Sequence, residues 1–187
     1  MLYKELNEYF VNDLLYKDTK IIFILESPHT QEVKNGYPVA GKSGNDMSKV
    51  LFNLDESFGK LIYEQHIKGI GILNVCNYPL QKSAYKNQDL KEIEFFEKIR
   101  QNPKLRKYDK MGINPTVIKI MDDFKSRLSV HKDKKIIICG NFAQSAFDSI
   151  FDENNFSSIL RVPHPSFNNW SKIKYKENIQ KLKEFIR

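Results

Sequence analysis

The sequence is poor in several features that mark large classes of protein. It has two cysteines in 187 residues, Cys76 and Cys139, too few for a four-cysteine zinc or iron–sulfur site. We expect both to be small buried side chains near the ends of core strands, in a reducing compartment. No apolar run approaches the roughly 20 residues that span a bilayer, and the first residues do not resemble a signal peptide. These absences predict a soluble cytoplasmic protein.

What is present favours a globular fold with an anionic partner. Apolar residues make up 41% of the chain, with 13 Phe and 9 Tyr, so the chain can bury a core and we expect a single domain over residues 1–187. The net charge is +7, from 30 Lys and Arg against 23 Asp and Glu. Nucleic acid is the commonest partner of such a chain, although a general richness in lysine explains the charge equally well.

The stretch over 20–44 is the centre of the predicted fold. Its apolar run, Ile21–Leu25, is typical of a strand covered on both faces. Glu26, Ser27, Pro28 and His29 follow directly, and the carboxyl ends of strands are where open α/β sheets bind ligands. A glycine-rich loop comes next. It leads into an amphipathic helix over 46–54, with Asn45 or Asp46 as its cap.

The remaining pattern predicts an α/β fold. We expect a helix over 2–16, strands over 69–76, 134–141 and 158–162, and helices over 89–100, 115–128, 142–151 and 171–186. A basic loop over 102–107 lies within a charged segment, 82–112. Parallel strands separated by helices give a three-layer α/β/α sandwich with a central four-stranded parallel sheet. Polar residues follow the first, second and fourth strands, so we expect them to meet at one edge of the sheet.

One motif points to a different function. Residues 36–43, GYPVAGKS, match the G-x-x-x-x-G-K-S pattern of a P-loop NTPase. In a P-loop the strand runs straight into the first glycine, whose neighbours wrap phosphate with backbone N–H groups. Here ten residues separate the strand from Gly36, and Pro38 removes one donor. We therefore keep an NTPase only as a minor alternative.

Four fragments, in order, resemble the uracil-DNA glycosylase superfamily. They are LESP at 25–28 with GYPVAGKSG at 36–44, ILNVC at 72–76, the strand, glycine and helix over 136–146, and HPS at 164–166. The closest pattern is that of the iron–sulfur bacterial branch, but the cluster cysteines are absent. The resemblance implies a monomeric, cofactor-free DNA glycosylase that flips uracil or a related modified pyrimidine out of single- or double-stranded DNA.

The resemblance also implies roles for the residues at the strand ends. Glu26 is similar to the carboxylate that activates water or stabilises the oxocarbenium-like sugar, while Ser27 stands where another branch has its catalytic aspartate. Asn74 is similar to the amide that reads the edge of the flipped base. His164 is similar to the histidine that donates to the leaving base.

DNA contacts are expected around the same site. Lys42, Ser43 and Ser166 are predicted phosphate contacts. Phe167 and Trp170 are candidates for a wedge that replaces the extruded base in the stack.

Two departures from the family pattern bear on the substrate. Val39 stands where the family has the phenylalanine that stacks on uracil, and Tyr37 is a candidate substitute. His29 replaces a glycine or tyrosine and is expected to narrow the pocket near C5 of a pyrimidine. The loss of the stacking ring leaves open a catalytically inactive member of the superfamily that binds nucleic acid.

Overall fold

A four-stranded parallel sheet forms the centre of the fold. The computed structural model describes residues 4–86, 91–102 and 114–187. Within these ranges the strands are β1 (Ile21–Leu25), β2 (Ile70–Asn74), β3 (Lys135–Cys139) and β4 (Ser158–Val162), in the spatial order β2-β1-β3-β4. Phe23 of β1 lies opposite Ile72 and Ile137. The predicted α/β fold with a parallel sheet is confirmed.

Helices cover both faces of the sheet, which explains why β1 is apolar at every position. They are α1 (Thr30–Asn35), α2 (Lys42–Phe52), α3 (Phe58–Tyr63), α4 (Lys91–Gln101), α5 (Pro115–Ser129), α6 (Gly140–Asp148) and α7 (Lys176–Phe185). Side chains of β1 alternate between two cores, one shared with α4, α5 and α6 and the other with α2, α3 and α7. None of the described helices is long and apolar enough to cross a bilayer.

The predicted helix over 2–16 is wrong. A short 3-10 helix covers Lys4–Tyr9, and the chain then runs extended along the free edge of β2. The backbone N–H and C=O of Leu14 both pair with Ile72, at 2.9 Å each. These tertiary hydrogen bonds favour an extended backbone where the apolar spacing alone fits a helix.

Other boundaries also differ from the sequence-based expectation. Helix α2 begins at Lys42, directly after Gly41, and not after Asn45 or Asp46. The α-helix of the closing segment covers only Lys176–Phe185 and not the whole of 171–186, and Ile173, within the predicted range, is 91% exposed. Short helices α1 and α3 were not predicted. Most of the predicted basic loop, from residue 103 onward, lies outside the described residues.

Both cysteines are buried and free, as predicted. Cys139 ends β3, and Cys76 follows β2 by two residues. Burial raises the pKa of the Cys76 thiol to about 12 and raises the pKa of Cys139 as well. Both thiols therefore stay protonated at neutral pH and behave as small apolar side chains.

Candidate active site

The carboxyl ends of all four strands open into one cleft of about 690 Å³. Because parallel strands end at the same edge, residues far apart in the chain meet there. The cleft includes most of the predicted site residues, namely Glu26, Ser27, His29, Val39, Ser43, Asn74, His164, Ser166 and Phe167. The lining does not include Tyr37, Lys42 or Trp170.

Glu26 is the first residue after β1 and is held by an arginine from α4. Its Oε1 accepts a hydrogen bond from Nε of Arg100 at 2.6 Å, and its side chain is 18% exposed. The Glu26 carbonyl accepts from the backbone N–H of Cys76 at 3.1 Å. Ser27 Oγ accepts from the N–H of Leu80 at 3.3 Å. The turn after β1 is thus fixed to the loop after β2, and the carboxylate faces a cation.

His164, just after β4, is a neutral imidazole with a defined tautomer. The backbone N–H of Ser166 donates to its Nδ1 at 3.1 Å, and Ser166 Oγ lies 2.9 Å from the same atom. Since a backbone N–H can only donate, Nδ1 is the acceptor and the neutral ring carries its proton on Nε2. Burial lowers the pKa of His164; Glu26 raises it and Arg100 lowers it further. His164 is therefore suited to donate a hydrogen bond without carrying a charge.

The His164 ring packs directly on Gly140, the first residue of α6. A Cβ built on Gly140 would lie 2.7 Å from the Cβ of His164, and the glycine has φ +85°. A side chain at this position would both clash with the imidazole and strain the backbone. The glycine therefore makes room for His164. The sequence placed Gly140 at the end of the strand over 134–141, whereas it begins α6 in the structure.

Asn74 ends β2, and its backbone N–H and carbonyl group are both hydrogen-bonded. Its N–H donates to Asp13 Oδ1 at 3.1 Å, and its carbonyl accepts from Arg127 at 2.8 Å. Asn74 is 2% exposed as a residue, and its carboxamide hydrogen-bonds to none of the described residues. Arg127 also pairs with Asp13 and with Asp123, at 2.8 and 2.7 Å. The free carboxamide is available to a ligand in the cleft.

The loop that carries Val39 is clamped between the starts of α2 and α3. A Cβ on Gly44 would lie 2.0 Å from the Val39 carbonyl oxygen, and one on Gly59 would lie 1.9 Å from that of Pro38. Val39 is 5% exposed and has φ +56°, a conformation that costs a β-branched residue about 1–3 kcal/mol. The glycines thus hold an aliphatic side chain rigidly in the cleft.

Tyr37 and Trp170 lie elsewhere than the sequence suggested. The Tyr37 ring stacks on Tyr63, with centroids 4.9 Å apart and planes 21° apart, so it does not replace the missing stacking ring. Trp170 is 3% exposed, and its Nε1 donates to the carbonyl of Pro163 at 2.7 Å. A buried indole cannot act as a wedge, and we correct that expectation to support of the segment that carries His164.

The predicted DNA contacts form a partial rim around the cleft. Phe167 is 86% exposed and has φ +57°, a strained conformation that presents an apolar ring to solvent. Ser43, in the first turn of α2, and Ser166 line the cleft, whereas Lys42 is exposed at the start of α2. Helix α1 separates β1 from Gly36, so the GYPVAGKS match lacks the strand-to-glycine connection of a P-loop.

Several cleft residues were missed from the sequence. They are Glu32, Gln81, Arg100, Phe142, Asn169 and Tyr175. Arg100 belongs to no motif and lies 74 positions from Glu26, so only the packing of α4 reveals it. Tyr175 is a half-buried aromatic side chain of the cleft wall. Tyr175 falls within the helix predicted over 171–186, and nothing in that pattern indicated a function.

Among the described residues, a metal-ligand geometry occurs away from the cleft. Glu56, Glu64 and His66 bring ligand atoms within 4.8 Å of one another. All three are exposed, and Glu56 already pairs with Lys60 at 2.9 Å. None of the three residues lines the cleft.

Comparison with protein families agrees with this geometry. The family model described as the uracil DNA glycosylase superfamily matches residues 13–187, which include every residue of the cleft. A comparison with curated proteins finds no significant match. The match covers nearly the whole chain and contains all four strands, and the chain therefore belongs to the uracil DNA glycosylase superfamily.

Proposed function

We propose that the protein is a DNA glycosylase that hydrolyses the N-glycosidic bond of uracil or a related modified pyrimidine. The observation that supports this most is that Glu26, Asn74 and His164 lie at or just after the carboxyl ends of three different strands and line one cleft. Each offers a different interaction, namely a carboxylate, a free carboxamide and a neutral imidazole N–H. Together they match what a flipped base and a departing anion require.

In this proposal the target nucleotide leaves the stack and enters the cleft. The Asn74 carboxamide donates to and accepts from the edge of the base. His164 donates from Nε2 to the base oxygen on which negative charge develops, and this weakens the glycosidic bond. The Glu26 carboxylate stabilises the oxocarbenium-like sugar and orients the water that attacks it. Products are the free base and an abasic site.

In this proposal, residues at the rim of the cleft contact the DNA around the flipped nucleotide. The exposed Phe167 ring fills the gap left in the duplex, and Lys42, Ser43 and Ser166 contact the neighbouring phosphates. His29, whose side chain is exposed at the cleft, limits the size of a substituent at C5. Val39 contacts the base face with an aliphatic group in place of an aromatic ring.

Base release from defined oligonucleotides tests the proposal. Each would carry one deoxyuridine, single-stranded or opposite G or A, with alkaline strand cleavage as the readout. We expect release by the wild type without added metal, and a loss of about 100-fold or more in Glu26→Gln and in His164→Ala. Glu94→Gln is a matched control, because Glu94 is an exposed carboxylate that pairs only with Lys98 among the described residues. Unchanged turnover in both cleft variants would disprove these assignments.

A second function is favoured by two observations, namely the absence of an aromatic ring at Val39 and the stacking of Tyr37 on Tyr63. A member of the superfamily that binds nucleic acid without cleaving it would need no ring positioned for catalysis. Salt-sensitive binding of DNA with no abasic product from any of the oligonucleotides would support that function over the first.

A further inference from the structure

Helix α4 supplies a charged side chain to the cleft that no motif of the chain anticipates. We propose that Arg100 is a positioning residue for Glu26. Its guanidinium holds the Glu26 carboxylate in place for catalysis and offsets the effect of that negative charge on His164. This inference rests on the proposed function, since it assigns Glu26 and His164 their catalytic roles. It makes α4 a part of the active site.

The contact between Arg100 and Glu26 is short and selective. Nε of Arg100 lies 2.6 Å from Oε1 of Glu26, and the two side chains are 36% and 18% exposed. A charge-assisted bond of this length is among the stronger polar contacts in proteins. Among the described residues, Arg100 is the single hydrogen-bond partner of this carboxylate, and Oε2 has none. One oxygen is anchored and the other is left for water or the sugar.

The arginine is held by a rigid support. Ile93, Phe96 and Ile99 of α4 are all fully buried in the core, so the helix is fixed along its inner face. Glu97 accepts a hydrogen bond from the N–H of Lys82 at 2.9 Å, which ties α4 to the segment after β2. Because Arg100 directly follows the buried Ile99, the backbone that carries the Arg100 side chain is held in place. Such support is what holds a catalytic group in a productive geometry.

Arg100 also acts on His164 through charge. The carboxylate of Glu26 raises the pKa of His164, whereas the guanidinium of Arg100 lowers it, in addition to the larger lowering by burial. With Arg100 removed, the carboxylate would act on the imidazole unopposed and favour its protonated form. A protonated ring would carry a hydrogen on Nδ1, opposite the N–H donor of Ser166. Arg100 therefore helps to keep the ring neutral.

The same guanidinium could instead serve as a phosphate contact, and the two roles predict different measurements. A positioning residue changes the rate of base release from bound DNA and leaves affinity unchanged. A phosphate contact changes affinity and the slope of binding against salt, and leaves the rate from the bound state unchanged.

We would compare the wild type with Arg100→Met, Arg100→Lys and the control Lys98→Met, since Lys98 is an exposed cation of the same helix. Single-turnover release of uracil, the DNA dissociation constant over a salt series and the NMR titration of His164 would be measured for each. We expect Arg100→Met to slow release by at least about tenfold with unchanged affinity, and to raise the pKa of His164. Arg100→Lys should recover part of both effects, because it keeps the charge.

Three results would overturn the inference. They are an unchanged single-turnover rate in Arg100→Met, a loss confined to affinity and its salt slope, or a His164 titration that does not move. Thermal unfolding checks that each variant folds, and Arg100→Lys carries the comparison if the methionine variant does not. If the wild type releases no base from any substrate, the proposed function fails, whereas the His164 titrations in Arg100→Met and Glu26→Gln still show whether the three groups are coupled.

Discussion

His164 depends on two neighbours that contribute no reactive group of their own. Ser166 fixes the tautomer through its backbone N–H, and Gly140 leaves the space in which the ring sits. The imidazole is therefore placed by backbone atoms, which move less than side chains do. A substitution at Gly140 should displace the His164 ring, and protonation of His164 should change the charge within the cleft.

Gly140→Ala should impair base release and stability together. The new methyl group would meet the Cβ of His164 at 2.7 Å, at a residue with φ +85°. Gly36→Ala is the matched control, because Gly36 has φ +77° but nothing within 4 Å of an added Cβ. We expect Gly36→Ala to cost about 1–2 kcal/mol from backbone strain alone, with base release retained. Equal activity in the two variants would contradict the role of Gly140.

Acidification should destabilise the fold through His164. Burial lowers the pKa of His164 in the folded chain below the ordinary value of 6.5. As the pH falls below about 6.5, His164 is therefore protonated in the unfolded chain before it is protonated in the folded chain. The free energy of unfolding should therefore decrease from this pH down to the lower folded pKa. Urea unfolding at about pH 7.5, 6.5 and 5.5 should show a shallower decrease for His164→Gln than for the wild type. Parallel curves would contradict the burial of a neutral imidazole.

Helix α5 fixes the end of β2 through Arg127. The guanidinium donates to the carbonyl groups of Asn74 and Val75, at 2.8 and 3.0 Å, and pairs with Asp13. Asp13 in turn accepts the N–H of Asn74, and burial raises the pKa of Asp13 while Arg127 opposes this rise. A helix on one face of the sheet thus determines where the Asn74 carboxamide lies.

Arg127→Met should destabilise the protein by about 3 kcal/mol, since it leaves a buried carboxylate and two carbonyl groups without their donor. Arg161→Met is the matched control, because Arg161 also pairs with two acidic residues, Asp148 and Glu153, but these are 55% exposed. Surface pairs of that kind contribute about 1 kcal/mol or less. Chemical denaturation of both variants would show the difference. Similar decreases in the free energy of unfolding would mean that the buried Arg127 network stabilises the fold no more than a surface ion pair does.

The elements differ in how far local sequence determines them. The strands were predicted because an apolar run such as Ile21–Leu25 has few other uses, and α5 because Pro115 marks its first turn. The extended backbone at Leu14 was missed, since it depends on hydrogen bonds to Ile72 across the fold. Arg100 and the stacking of Tyr37 on Tyr63 were missed for the same reason. Contacts between distant elements leave no periodic mark in the sequence.

The whole molecule assembles its cleft from segments that are far apart along the chain. Parallel connections bring the ends of every strand to one edge, so Glu26, Asn74 and His164 could be grouped from sequence before any distance was known. The contacts of these three residues with helices α4, α5 and α6 could not be predicted from the sequence. Those contacts determine the orientation and the electrostatic surroundings of each side chain. Strand topology thus predicts which residues meet, and packing determines what each of them can do.

The net charge of +7 is a property of the whole molecule, and it predicts that the protein associates with DNA electrostatically. Binding of an oligonucleotide without uracil, for which no turnover occurs, should weaken by about tenfold or more between about 50 and 200 mM salt, since each phosphate contact releases condensed counterions. Fluorescence anisotropy over a salt series would give the slope. A dissociation constant independent of salt would argue against contacts with the phosphate backbone.

The two buried cysteines have a practical consequence for such experiments. Since neither thiol is exposed and the pKa of Cys76 is about 12, the native surface offers no thiolate to a maleimide. Val130 is 73% exposed and follows α5, at the amino ends of the strands and opposite the cleft. Val130→Cys would therefore create a unique attachment point for a fluorophore or a tether, on a molecule whose cleft stays unmodified.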